Sequence, residues 1–409
     1  MKRPTVTLDE IKAKVRYSFV GGPFGSNLTT RDYVEEGVPV IRGNNLPTDS
    51  TFFDDEFVFV TEQKADELAS NTARAGDLIF TQRGTLGQVG LIPTEPRFPL
   101  YVISQSQMKL SVDKEKADAK FIYFFFRSPA TVQNVINHAL ISGVPHINLG
   151  ILKGFEVPLP PLDEQRRIAE VLSAYDDLME NNRRRIALLE EAARQLYAEW
   201  FVRLRFPREH AAASENGLPK DWTRGPLGEV ADINRETLGS SFHGEIEYVD
   251  ISAVTPGHIG ETTRYDFADA PSRARRVVRH GDIIWSCVRP NRRLHAVIWK
   301  PEPNLIVSTG FAVISPKTLP TSFLYQAMTT DAFVRNLENR ARGAAYPAVL
   351  ASDFEQSEIV VPPAPLVNAF NDFAEPLLDQ IYLLTFQTQK LRAARDLLLP
   401  RLMSGGLAV

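Results

Sequence analysis

Apolar side chains recur every three to four positions over two long stretches of this chain, each directly after a proline-rich segment. After Val157-Pro158-Leu159-Pro160-Pro161-Leu162 they fall at Ile168, Leu172, Tyr175, Met179, Ile186, Leu189, Ala193, Leu196 and Trp200, with Asn182 in the one polar slot. After Ile359-Val360-Val361-Pro362-Pro363-Ala364-Pro365 the stepping gives Leu366, Phe370, Phe373, Leu377, Gln380, Leu384, Gln387, Leu391, Ala394 and Leu398. A seam repeating every 3.5 residues buries itself against another helix, so the pattern predicts two long helices that pair with each other. Asp163, just after two prolines, is the expected N-cap of the first, which runs to about Arg205 before the break at Pro207. At roughly 1.5 Å per residue, about 40 residues make a rod of about 60 Å. Pro376 lies within the second seam, so that helix either starts there or kinks there. If the two run antiparallel with their middles together, Asn182 meets Gln380 and Gln387 in a polar layer that fixes register.

The remaining sequence predicts short strands and turns, and it does so twice. Val38-Pro39-Val40-Ile41, Gly76-Asp77-Leu78-Ile79-Phe80 and Met108-Lys109-Leu110-Ser111-Val112 have strand character, while Ala119 to Asn137 reads as helix. Further along, Glu247 to Ile251 answers Pro39 to Gly43, and Gly281 to Trp285 answers Gly76 to Phe80. In the same order, Ile306-Val307-Ser308 answers Val102-Ile103-Ser104, Phe323-Leu324-Tyr325 answers Phe121-Ile122-Tyr123, and Gly343 to Pro347 answers Gly143 to Pro145. So many matches at a nearly constant offset constitute an internal repeat. The expected division is a first globular domain over 1–160, a long helix over 161–206, a linker over 207–219 marked by Gly217 and Pro219, a second domain over 220–363 and a second long helix over 364–409. A duplicated unit on paired rods suits a target that itself has two halves.

Composition narrows the class without naming it. At 409 residues with 44% hydrophobic content, each domain can bury a real core. A net charge of -4 means that any nucleic-acid contact comes from local patches rather than a global positive field. One cysteine, Cys287, excludes an internal disulfide framework and a cysteine zinc cage, and suits a reducing cytoplasm. No apolar run approaches the roughly 20 residues that span a bilayer, so neither export nor a membrane anchor is expected.

Several motifs together resemble one family, the DNA-specificity subunits of type I restriction-modification systems. They are Gly22-Pro23-Phe24-Gly25-Ser26-Asn27-Leu28, then Gly37-Val38-Pro39-Val40-Ile41-Arg42-Gly43-Asn44-Asn45-Leu46, then Gly76-Asp77-Leu78-Ile79. Pro158-Leu159-Pro160-Pro161-Leu162-Asp163-Glu164-Gln165-Arg166-Arg167-Ile168-Ala169 opens the helix that closes with Glu199-Trp200-Phe201. The resemblance implies an α+β chain: two mixed α/β target-recognition domains in pseudo-two-fold repeat, separated by two long antiparallel coiled-coil helices. It implies that each domain reads half of a bipartite site on double-stranded DNA. It further implies two modification subunits that bring S-adenosylmethionine and methylate adenine, and a restriction subunit, a nuclease and translocase that uses ATP and Mg. The second half has Asn234-Arg235-Glu236-Thr237-Leu238-Gly239-Ser240 in place of the first half's Gly-Pro-Phe-Gly-Ser, and Asp250-Ile251-Ser252-Ala253 in place of Arg42 to Asn45. Such differences predict two unlike half-sites.

Catalysis by the chain itself finds no motif. There is no Gly-Lys-Ser/Thr loop for a triphosphate, no Gly-x-Gly-x-x-Gly opening a helix, and no Asn/Asp-Pro-Pro-aromatic segment of the kind that holds a flipped base. The seven histidines lack metal-ligand spacing, and Asp54-Asp55 and Asp176-Asp177 read as solvated surface. The expectation is a non-catalytic chain that binds no cofactor or metal of its own.

Recognition chemistry is easier to find, because Arg pairs bidentately with guanine, and Asn or Gln with adenine. Candidate base readers are Gln82, Arg83 and Thr85 after the Gly76 strand, and Arg289, Asn291, Arg292 and Arg293 after the equivalent strand. Arg273, Arg275, Arg276 and Arg279 suit phosphates, which position without specifying. Arg42, Asn44, Asn45, Ser104, Gln105, Gln107, His146 and Asn148 are further candidates in the first half. In the second half, Ser252, Thr309, Arg342 and Tyr346 sit at or near equivalent points. The competing reading is a coiled-coil assembly scaffold with no DNA specificity; a self-contained methyltransferase is a weaker one.

Overall fold

The computed structural model describes residues 3–48, 50–140, 144–206, 218–343 and 346–409. The expected linker, including Pro207 and Gly217, lies almost wholly outside the described residues, as do Gly143 and part of its counterpart loop. The chain divides into two compact units, residues 1–182 with 387–409, and residues 183–386.

In the first unit a four-stranded antiparallel sheet runs Phe19–Gly21, Gln107–Leu110, Leu78–Thr81, Val89–Leu91. A second sheet of five strands contains one parallel pair, Val38–Ile41 beside Tyr101–Ile103. A short clasp pairs Thr5–Thr7 with Glu156–Pro158. The second unit repeats this order: Ala231–Ile233, Phe311–Pro316, Ile283–Ser286 and His295–Val297 form the antiparallel sheet. Glu245–Val249 and Leu305–Ser308 form the parallel pair, and Thr223–Pro226 with Glu358–Val361 the clasp. The strand correspondences read from the sequence thus have structural counterparts in topology.

Local chemistry explains why the Gly-Asp motif recurs. Gly76 and Gly281 take φ of +83° and +85°, a region open to glycine. The next carboxylate closes the turn, Asp77 accepting from the Arg74 amide at 2.8 Å and Asp282 from the Arg279 amide at 2.7 Å. The strands that follow, Leu78–Thr81 and Ile283–Ser286, are buried at every position, which is why they read as continuous apolar runs rather than alternating ones. The stretch Ala119 to Asn137 is two helices, Ala119–Arg127 and Pro129–Asn137, because Pro129 offers no amide to continue the first.

The central helix, Leu162–Tyr197, starts one residue before Asp163 and ends in a π-helical turn, Ala198–Val202. Asp163 is exposed; the first-turn amides of Glu164 and Gln165 bond the Pro161 carbonyl at 2.9 and 3.0 Å. Gln165, 1% exposed, ties this helix to the first domain by accepting from the Asp118 amide and donating to the carbonyls of Pro160 and Lys116. The C-terminal helix, Ala364–Ser404, runs through Pro376, so it does not start there. Pro376 sits at an exposed position, where water can replace the missing amide donor. At its far end Arg3 donates to the carbonyls of Leu402 and Met403 and pairs with Glu164 at 2.6 Å.

In the first unit the helix segments run antiparallel, since Asp176 meets Arg395 and Asn182 meets Thr388; in the second, Tyr197 and Trp200 pack on Phe370. Ile168, Leu172, Met179, Asn182, Ala193, Phe370 and Leu384 are buried. Tyr175, Ile186, Leu189, Leu196, Trp200, Leu366, Leu377, Leu391, Ala394 and Leu398 are half-buried. The second seam departs from the expected one. Phe373 is 45% exposed and its neighbour Ala374 is buried, Gln380 and Gln387 face solvent, and Arg395 takes a core position. Asp176, expected on the surface with Asp177, is instead buried against Arg395. Asn182 donates to the Thr388 hydroxyl at 3.3 Å rather than to either glutamine, because the helix phase places residue 388, not 387, toward the partner.

Candidate nucleic-acid interface

One edge of each antiparallel sheet is built from three loops stitched by backbone bonds. In the first domain the Gln82 amide donates to the Ser106 carbonyl at 2.7 Å, and the Ile147 amide to the Gln82 carbonyl at 3.0 Å. His146 and Leu140 exchange amide bonds, and Arg83 bridges to His146. In the second domain the Cys287 amide donates to Gly310 at 2.8 Å, the Val349 amide to Cys287 at 2.9 Å, and Arg342 and Ala348 exchange bonds at 2.9 Å. The two cradles therefore share a bonding pattern that uses main chain alone. Side chains at the equivalent points are free to differ, as Gln82 against Cys287 and Arg83 against Val288 do.

In the first domain the candidates separate by what already holds them. Arg83 and Thr85 are exposed, as is Asn44, and no side-chain partner among the described residues engages Arg83. Asn45 is fully buried: it accepts from the Arg42 amide and donates to the carbonyls of Phe53 and Asp55 at 3.0 Å, so it shapes the loop instead of reading bases. Arg42 is half-buried, its guanidinium reaching the Glu56 carbonyl at 3.5 Å. Gln107 is likewise fully buried and bonds Ser104. Gln105 donates to the carbonyls of Gly25 and Leu28 at 2.5 and 2.7 Å. Asn148 caps the helix Leu149–Lys153 through the Ile151 amide at 2.9 Å, and His146 bonds the Val144 carbonyl at 3.2 Å. Gln82 is half-buried at the base of the cradle.

The second domain presents Asn291, Arg292 and Tyr346, all exposed. Arg289 and Arg293 both adopt left-handed backbone, φ +51° and +53°, around the turn Pro290–Arg292. Such conformations are costly outside glycine and cluster where a loop must aim a side chain. The Arg289 guanidinium lies 4.7 Å from the Tyr346 ring centroid, a cation–π contact between two of the loops. Arg293 pairs with Asp331 and holds that carboxyl low. Arg342 pairs with the buried Asp353 at 3.2 Å. Ser252 bonds Asp250, and Thr309, half-buried, donates its amide to the Arg273 carbonyl at 2.8 Å.

The basic run is less available for phosphates than its composition suggests. Arg275 stacks over Phe267 at 4.2 Å, Arg276 donates to the Thr237 hydroxyl at 2.9 Å, and Arg279 pairs with Glu236 at 2.5 Å. These contacts hold all three side chains on neighbouring segments, whereas Arg273, just before the strand Ala274–Val277, is exposed. Cys287 has its thiol pushed up to about 11 by burial, so it stays protonated and unreactive. Among the described residues no group of three or more His, Cys, Asp or Glu side chains could hold a metal ion.

Two α+β domains with one topology, each bearing such a cradle and each followed by a long helix, define a duplicated recognition-domain protein with paired helices. Residues 22–191 match the family model described as Type I restriction modification DNA specificity domain, and this segment belongs to that family. The chain is 23% identical over 86% of its length to the type I restriction enzyme MjaIX specificity subunit of Methanocaldococcus jannaschii, of which it covers 82%. It is 22% identical over 91% of its length to the putative MjaX specificity subunit of the same organism, covering 88% of it. The crystal structure of a type-I restriction-modification system S subunit from M. genitalium aligns with 98% of this chain and 95% of its own at a TM-score of 0.58 and 18% identity, which establishes a shared fold.

Proposed function

We propose that this chain is the DNA-specificity subunit of a type I restriction-modification complex, reading an asymmetric bipartite site with one half-site per domain. The observation that carries this is the repeated cradle: a shared set of main-chain bonds with unlike side chains, Arg83 and Thr85 in one domain, Asn291, Arg292 and Tyr346 in the other. Arginine and amide groups on rigid loops can read base edges in the major groove, and unlike readers imply unlike half-sites. On this reading two modification subunits assemble with the chain and supply S-adenosylmethionine for adenine methylation, and a restriction subunit supplies ATP-driven cleavage, in the cytoplasm. The chain contributes address, not chemistry.

The test is binding of the chain with its modification subunit to the site found by mapping methylated adenines in host DNA. Tight binding to that site, weakened when either half is scrambled and falling steeply with salt, is the expected result. Binding indifferent to sequence would establish the scaffold reading instead. No helix among the described residues is long and apolar enough to cross a membrane.

A further inference from the structure

Phe24 is 89% exposed, an unusual position for a phenylalanine, and the loop that carries it is fixed from several sides. The Gly22 amide donates to the Gln107 carbonyl at 2.8 Å, and a Cβ on Gly22 would lie 2.1 Å from the Ser104 carbonyl oxygen, so only glycine permits this approach. Gly25 holds φ +57°, and Gln105 clamps the carbonyls of Gly25 and Leu28. Leu28, 3% exposed, anchors the far side in the core. The ring is thus displayed, not left over.

The clamp comes from the same 104–107 turn whose Ser106 carbonyl receives the amides of Gln82 and Arg83. Phe24 and Arg83 therefore belong to one cradle edge. The counterpart segment in the second domain is polar: the Asn234 amide donates to Val313, as Gly22 does to Gln107, and nearby Glu236 is paired with Arg279.

Resting on the reading above that this domain binds DNA, we propose that Phe24 is a specificity-determining residue for the first half-site, packing its ring on the C5 methyl group of a thymine. The major-groove edges of the bases carry one apolar group, that methyl, and an apolar ring among polar readers has no other match there. A ring already held in place loses little conformational entropy on binding.

The test uses the full chain with its modification subunit and duplexes in which each thymine of the first half-site is replaced in turn by uracil, which removes only the methyl. The wild type should lose about fourfold in affinity at one position, the effect of one buried methyl-sized group. Phe24→Ala should bind the thymine duplex more weakly and become indifferent to uracil at that position, while Phe24→Leu keeps part of the discrimination and Arg83→Ala keeps all of it. Because Phe24 is exposed, an unchanged urea midpoint for the alanine variant confirms that folding is intact. Equal uracil sensitivity in wild type and Phe24→Ala, or none at any thymine, would overturn the proposal. So would a Phe24-dependent rise in 2-aminopurine fluorescence, the mark of a wedge that unstacks a base step, or a Phe24-dependent self-association. If the wild type shows no sequence-specific binding at all, it is the function reading that fails.

Discussion

Arg395 donates its Nη1 to Asp176 Oδ1 at 2.6 Å across the helix pair of the first unit, with side chains only 7% and 8% exposed. A second bond to Asp396 at 2.8 Å steadies the guanidinium. Burying two charges amid Ile168, Leu172 and Leu399 costs desolvation that their attraction only partly offsets, so the pair serves alignment better than stability.

Removing one partner should expose that balance. Asp176→Ala should cost about 3 kcal/mol, the low end of the usual range because Arg395 keeps Asp396. The double replacement Asp176→Leu with Arg395→Leu should recover most of it. Urea unfolding of the three proteins measures both effects; an unperturbed single variant would show that the pair is solvated.

Asn182, 6% exposed, and Thr388 form the next polar layer toward the chain's middle. Replacing Asn182 with Leu should raise the urea midpoint, by about 1 kcal/mol of stability, because an apolar side chain suits that seam position better. Register should loosen at the same time, read as faster amide exchange over residues 176–190 and relaxed discrimination of half-site spacing in binding assays.

Specificity should be separable by domain. Arg292→Ala or Asn291→Ala should cost about 1–3 kcal/mol at a base position of one half-site and leave the other unchanged. Arg273→Ala should weaken all sequences alike and shallow the salt dependence. Binding selections on randomised half-sites distinguish the two behaviours, and a reader variant that altered both halves would argue against independent domains.

Acid should destabilise the second unit through His295. Its ring is stacked on Trp285 at 4.4 Å and bonded to the Tyr325 hydroxyl at 3.1 Å, and burial, aided by Arg293, holds its pKa at about 4. Below roughly pH 6.5 the unfolded chain takes up a proton that the folded imidazole declines. Stability is therefore full above that pH and falls as the pH drops toward 4, by a few kcal/mol at most. Glu190, whose carboxyl burial pushes up, acts in the opposite sense and loses its contribution as pH rises. Comparing wild type with His295→Gln, which keeps a bond to Tyr325, isolates the histidine: the variant should show a flatter acid limb in urea titrations between pH 6.5 and 4.

The sequence alone determined the features that depend on local pattern. A 3.5-residue repeat must make paired helices, a Gly-Asp step before an apolar run must make a turn and a buried strand, and a duplicated order of such signals must make a duplicated fold; Gly76 and Gly281 realise the same turn. What remained for tertiary structure was the choice among chemically equivalent side chains. Asn45 and Asn44 are adjacent amides, yet one is sealed by three bonds and the other exposed, since only the loop's closure on Phe53 and Asp55 separates them. Asp176 and Asp177 form a similar pair, and Arg395 on a distant stretch of chain decides which is core. Helix phase drifts against a heptad, so Ala374 and Thr388 replaced Phe373 and Gln387 at packed positions, a shift that no period count fixes. Contacts between residues some 200 positions apart settle such choices, and a pattern read along the chain cannot contain them.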